Sequence, residues 1–139
     1  SIMSTEQATA TAGQCVSPAL NGVQVKLLGQ PTGYLVIDGQ SRALDYYDWT
    51  HNFTVQKFAE LACVSPVGKP LSPFVLIKEE ASQTIYLLDQ SSGKKRAISA
   101  AVWQKYHFNP SAVQVLNHVV INAIPTGTPV PMLSTTTAE

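Results

Sequence analysis

The chain repeats itself. Cys15-Val16-Ser17-Pro18 recurs letter for letter as Cys63-Val64-Ser65-Pro66. Downstream of each copy lies a tyrosine-led, strand-like stretch, Tyr34-Leu35-Val36-Ile37-Asp38 and Tyr86-Leu87-Leu88-Asp89. A basic-small-apolar triplet follows, Arg42-Ala43-Leu44 and Arg96-Ala97-Ile98. Trp49 and Trp103 stand at the same distance from their arginines, and Phe53 and Phe108 come shortly after. A unit of roughly fifty residues is small for a self-sufficient core, so two copies are expected to nest their apolar faces or extend one sheet. Residues that recur in both copies, Arg42, Arg96, Trp49, Trp103, Phe53 and Phe108, are expected to be structural.

Local signals sketch each unit. In the first, strand formers occupy 23–28 and 34–37, separated by Gly29-Gln30-Pro31-Thr32-Gly33. Asp38-Gly39 favours a type I′ hairpin, since both central residues must take positive φ, and a third strand returns over 41–44. Asp45 can cap a short helical turn through Trp49. Thr54 can cap a second helix over 55–62, where Val55, Phe58, Ala59 and Ala62 share a face at helical spacing. In the second unit, strands are expected over 74–78, 84–88 and 95–98. Ser99 caps a helix over 100–106, 113–116 alternates like a short strand, and Asn117 caps a last turn or two. The expected fold is α+β: two tandem repeats, each a three-stranded antiparallel meander followed by short helices, related by a pseudo-twofold around a shared core. An all-β fold in which the helices are merely turns is the competing expectation. The boundaries are a tail at 1–14, repeats at 15–62 and 63–130, and a tail at 131–139. The two ends are Thr/Ala-rich, and 1–14 has no signal-peptide pattern.

Composition narrows the function classes. Only 13% of residues are charged and the formal net charge is zero. Nucleic-acid binding normally needs a basic face to neutralise phosphates, and the one cluster, Lys94-Lys95-Arg96, is short. No apolar run approaches the roughly 20 residues that span a bilayer. The two cysteines occupy equivalent places in the repeats. They either bridge, closing a loop worth on the order of 4 kcal/mol in the chain-entropy model, or fill two core niches as free thiols. Paired cysteines, low charge and Thr-rich ends favour an oxidising, extracellular setting.

Catalytic and metal motifs are sparse. His51, His107 and His118 lack paired-histidine spacing, two cysteines do not make a zinc set, and the acidic residues show no EF-hand spacing. No cofactor or metal is expected. No serine sits in a nucleophile elbow, and no glycine loop suits a phosphate. Asp45 and Asp48 are the nearest approach to paired carboxylates, with Glu79-Glu80 on a hairpin tip. The most suggestive patch is Asp45-Tyr46-Tyr47-Asp48-Trp49-Thr50-His51. Rings can stack on the apolar faces of sugars while carboxylates accept hydroxyl protons. At the corresponding place the second repeat has plain Ala100-Ala101-Val102. The candidate ligand-binding residues are therefore Tyr46, Tyr47, Asp48 and His51. Asn52-Phe53-Thr54 also matches the N-glycosylation pattern.

The second repeat has Tyr86-Leu87-Leu88-Asp89, Lys95-Arg96-Ala97-Ile98-Ser99, Tyr106-His107-Phe108 and Ile124-Pro125-Thr126-Gly127-Thr128-Pro129. In this order it resembles a tandem module of secreted or surface-attached bacterial proteins. The first repeat departs from that pattern with Ser41 for the lysine and Asp45 for the serine. The resemblance implies an accessory role beside other domains and brings no catalytic residues. The expected function is a non-enzymatic extracellular or cell-surface binding module, with a glycan or protein as ligand. A structural or protein-interaction module, such as a spacer or assembly subunit, is the alternative. A small hydrolase comes third and would require Asp45, Asp48, His51 or a cysteine to converge in a cleft.

Overall fold

The structure, a computed structural model, describes residues 15–132. The expected tail at 1–14 lies outside the described residues, as does 133–139 of the other. The fold is α+β. The first half contains β1 (Gln24–Leu27), β2 (Gly33–Ile37), β3 (Gln40–Leu44), α1 (Tyr46–Asn52) and β4 (Ala59–Leu61). The second contains β5 (Phe74–Glu79), β6 (Ile85–Asp89), β7 (Lys94–Ile98), α2 (Ala100–Tyr106), β8 (Val113–Leu116) and α3 (His118–Ala123). Each half builds one four-stranded sheet, in the order β3-β2-β1-β4 and β7-β6-β5-β8.

Local chemistry accounts for most of these elements. Asp38 and Gly39 take φ of 57° and 73°, as a two-residue hairpin of the primed type requires, and Ile37 pairs with Gln40 across it. Asp45 caps α1 by accepting from Asp48 N at 2.9 Å, Ser99 caps α2 through Val102 N, and Asn117 caps α3 through Val120 N. Such caps satisfy backbone donors that a helix start leaves open.

Each half holds three consecutive antiparallel strands followed by a short helix, but the repeat is more than that. A fourth strand joins each sheet in parallel, β4 beside β1 and β8 beside β5. The helix expected over 55–62 does not form. Instead the Gln24 side chain donates to Val55 O and accepts from Lys57 N, both at 2.8 Å, and guides the chain into register with β1. Two fixed hydrogen bonds plus strand pairing outweigh a weak amphipathic propensity, which tertiary context routinely overrides.

The second Cys-Val-Ser-Pro copy does not open the second sheet. It is held on the first, where Ser65 O accepts from Cys15 N and Val16 N at 2.7 and 2.9 Å. Cys15 and Cys63 are joined in a disulfide across 48 residues. From there the chain runs beside β3: Ser41 N donates to Pro66 O, and Gly68 N and Leu71 N donate to Ser41 O and Ala43 O. The end of the second half does the same beside β7, where Lys95 N donates to Pro125 O, and Gly127 N and Val130 N donate to Lys95 O and Ala97 O. Both β3 and β7 edges are thereby covered rather than left as pairing templates.

Alternate strand residues face opposite ways. Leu35 and Ile37 from the first sheet meet Leu76 and Leu87 from the second in one core, around Phe53, Phe74, Tyr106 and Phe108. Phe53 and Phe108 face each other at 5.5 Å. Their flanks pair across the junction, Thr54 N to His107 O and Asn109 N to Asn52 O, each at 2.8 Å. The duplicated arginines exchange partners. Arg42 grips Asp89 of the second half with two bonds of 3.1 and 3.2 Å. Arg96 grips Asp38 of the first half at 2.7 and 2.8 Å. Each also donates through Nε to the carbonyl after its closing glycine, Lys69 O or Thr128 O. Two-bonded contacts of this kind fix orientation as well as charge. Asp89 is shaped by both effects: burial raises its pKa, and the bonds from Arg42 and Ser91 outweigh that and hold it below the usual carboxylate value.

Candidate functional site

The seven-residue aromatic patch divides when folded. α1 turns Asp48 inward, where it is buried. Its carboxylate accepts from the Ser72 hydroxyl and from Asn52 Nδ2. Burial pushes its pKa up, against the Ser72 hydrogen bond. Asp48 is thus committed to the interior, at the position where α2 carries the equally buried Val102. Tyr47 and His51 stack on each other one turn apart, with ring centroids at 5.0 Å, on the exposed face. Of the four expected ligand residues, Tyr46 lines a cleft beside Trp49, and Tyr47, Asp48 and His51 do not. Asn52 is buried and donates to Asp48 and to Phe74 O. Its amide is therefore closed to a glycosylating enzyme in the folded state.

That cleft, about 440 Å³, lies against the first sheet, lined by Lys26 of β1, Gly33 of β2 and Leu44 of β3. Trp49 forms one wall and Phe58 meets it edge-on at 4.8 Å. Tyr46, 83% exposed, stands at the rim. Lys26 lines it as well, its ammonium 4.7 Å from the Phe58 ring centre. Gln56 is fixed by donating to Trp49 O and Phe53 O, which leaves its Oε1 without a partner among the described residues. The Trp49 indole N–H is buried and has no acceptor. Gly33 lets both rings approach: a Cβ there would lie 2.7 Å from Trp49 Nε1 and from the Phe58 ring.

The second half has a smaller counterpart, about 260 Å³, lined by Ile85, Ala100 and Trp103. Gly33 pairs with Leu44 and Ile85 with Ile98, so Ile85 stands where the first half has glycine. Ala100 begins α2 as Tyr46 begins α1. The aromatic cleft is thus peculiar to one half. The sequence patch and this cleft share Tyr46, Trp49 and Thr50. Lys26, Gln56 and Phe58 also line the cleft and lie outside the patch.

The other singled-out residues fall elsewhere. Trp49, Phe53 and Phe108 are buried in the core, and Trp103 packs against it. Asp45 is occupied as a helix cap, and both cysteines are consumed in the disulfide. His118 contacts Glu79 and Asn122 on the surface, and His107 ends α2. No carboxylate lines the aromatic cleft, and Asp45, Asp48 and His51 do not converge in it. Among the described residues no helix is long and apolar enough to cross a membrane. Comparison with protein-family models, with curated proteins and with solved structures found no match.

Proposed function

We propose that the chain is a non-enzymatic binding module of an extracellular or cell-surface protein, and that it takes a carbohydrate in the first-half cleft. The supporting observation is the cleft itself: Tyr46 and Phe58 join Trp49 around it with the unpartnered Gln56 Oε1, whereas the matching place in the second half keeps one aromatic side chain, Trp103. A pyranose can lay its C–H face on Tyr46 and Phe58 while its hydroxyls donate to Gln56 Oε1. The disulfide supports an oxidising location.

Titration with a panel of soluble polysaccharides, followed by tryptophan fluorescence, tests the reading. Saturable binding is expected, weakened at least tenfold by Tyr46→Ala or Phe58→Ala (about 1.4 kcal/mol per tenfold). Binding that survives Gly33→Ile, or no binding to any polysaccharide, ends the carbohydrate reading.

A second reading, a structural or protein-interaction module, has its own support. β8 is the outermost strand of its sheet, and Val115 on it and Val119 and Val120 on α3 are exposed. Exposed apolar groups beside a sheet edge suit docking to another chain. Sedimentation over a wide concentration range separates the two, since self-association lost on Val119→Glu would favour it.

A further inference from the structure

A second groove, about 310 Å³, opens at the junction of the halves. The segment leading into β4 serves both openings. Gln56 and Phe58 line the aromatic cleft, whereas Val55 and Lys57 line this groove. Three side chains able to carry positive charge meet in it: Lys57 from the first half, and Lys105 and His107 from the second. No carboxylate lines it, and none of the three is in an ion pair among the described residues.

Neighbours hold the backbone of Lys57 and His107 and the stem of Lys105. Gly22 has φ +90°, and a Cβ there would lie 2.9 Å from Lys105 Cγ and 3.0 Å from the Tyr106 ring. Only glycine lets the Lys105 stem lie so close to the backbone. Lys57 N is held by Gln24 Oε1 at 2.8 Å. His107 closes α2 at φ 61°, and its carbonyl accepts from Thr54 N at 2.8 Å. Glycine is the cheapest residue at such a left-handed helix end. This chain instead has histidine there, and its side chain lines the groove.

We propose that this groove is an oxyanion site, binding a sulfate or phosphate ester group. Two ammonium groups offer charge-assisted donors and the imidazole a further N–H in one groove. The site is independent of the aromatic cleft and stands whether or not that cleft binds sugar.

Nuclear magnetic resonance titration of isotope-labelled protein tests it, using inorganic sulfate, inorganic phosphate and chloride at constant ionic strength. Saturable shifts are expected at Gly22, Lys57 and His107 with the two oxyanions and not with chloride. Lys57→Gln and Lys105→Gln should each weaken Kd about fivefold or more. His107→Gly suits the backbone and should preserve the remaining spectrum while weakening binding similarly. Non-saturable shifts, equal response to chloride, or an unchanged Kd in the Lys57→Gln/Lys105→Gln double variant overturns the proposal. Glucose 6-sulfate and glucose 6-phosphate as competing probes then show which ester the groove prefers.

Discussion

The two halves share a strand order but cover their outer sheet faces by different means. In the first, Val25 and Val36 are covered by Val16 and Val64, the residues beside the two disulfide-linked cysteines. In the second, α3 lies over the sheet, with Ile121 buried beneath it. There Lys95 sends its ammonium to Ile121 O and Ile124 O at 3.1 and 2.6 Å. A covalent link in one half and a capped helix with a buried lysine in the other meet the same need. The inner faces diverge as well. Asp48 replaces a valine, and Gly33 and Tyr46 line the larger cleft where Ile85 and Ala100 line the smaller one of the other copy. Duplication supplied a common frame, and the differences between copies mark where selection for something other than packing has room to act.

The largest test of that comparison uses the exchanged arginines. Arg42 and Asp89 are both buried, with side chains 7% and 5% exposed. Arg42→Ala leaves the buried Asp89 carboxylate without its countercharge, held only by Ser91, and should cost about 3–5 kcal/mol in chemical denaturation. The Asp38 side chain is 42% exposed, so Arg96→Ala should cost less than its counterpart. Equal costs would show that burial does not distinguish the two pairs.

Removing the disulfide by Cys15→Ser with Cys63→Ser should cost about 4 kcal/mol, for a loop of 48 residues. Hydrogen exchange should accelerate first at Val25 and Val36, not at Ile77. Uniform acceleration would mean that the outer faces do not differ in what secures them.

Gly33→Ile makes the first half resemble the second. The close approach of Trp49 and Phe58 predicts a penalty of about 1–3 kcal/mol from overpacking, with loss of the cleft. Unchanged stability would place Trp49 further from Gly33 than the structure has it.

The two buried carboxylates should respond to acid with opposite signs. Asp89 is depressed when folded, so its contribution is present above its unfolded pKa of about 3.9 and disappears as pH falls through the lower folded value. Asp48 is raised, so its ionised form opposes folding at neutral pH, and protonation relieves this as pH falls through the folded value. Asp48→Asn should therefore gain about 1 kcal/mol relative to wild type at pH 7, and the gain should shrink toward pH 4. Asp89→Asn should lose stability at pH 7, the loss shrinking below pH 4. Urea denaturation across pH 3–7 measures both, and parallel curves for the two variants would refute the contrast.

The smallest effect belongs to the exposed face of α1. Tyr47→Ala should change stability by no more than about 0.5 kcal/mol and leave polysaccharide affinity unaltered, unlike Tyr46→Ala in the same titration.

Much of the frame was legible in the residues: the duplication, the Asp38-Gly39 hairpin, the three helix caps and the structural standing of the repeated arginines. What escaped was set by contacts distant in sequence. Nothing local in 55–62 shows that Gln24, some thirty residues earlier, will hold that segment extended. Asp48 looks like a ligand group until Ser72 and the buried face of α1 claim it. The tetrapeptide repeat marked equivalence of letters, but its second copy serves the first sheet because the disulfide and Ser65 O keep it there. Lys26, Gln56 and Phe58 converge only through the parallel placement of β4 beside β1, a pairing with no turn signal to announce it.

The partner exchange between arginines also bears on how the halves depend on each other. In the folded chain each half takes its arginine's carboxylate from the other half and not from its own. The two repeats are thereby tied together as a pair. Joined in one chain, the halves need not be identical, which leaves each free to carry side chains the other lacks.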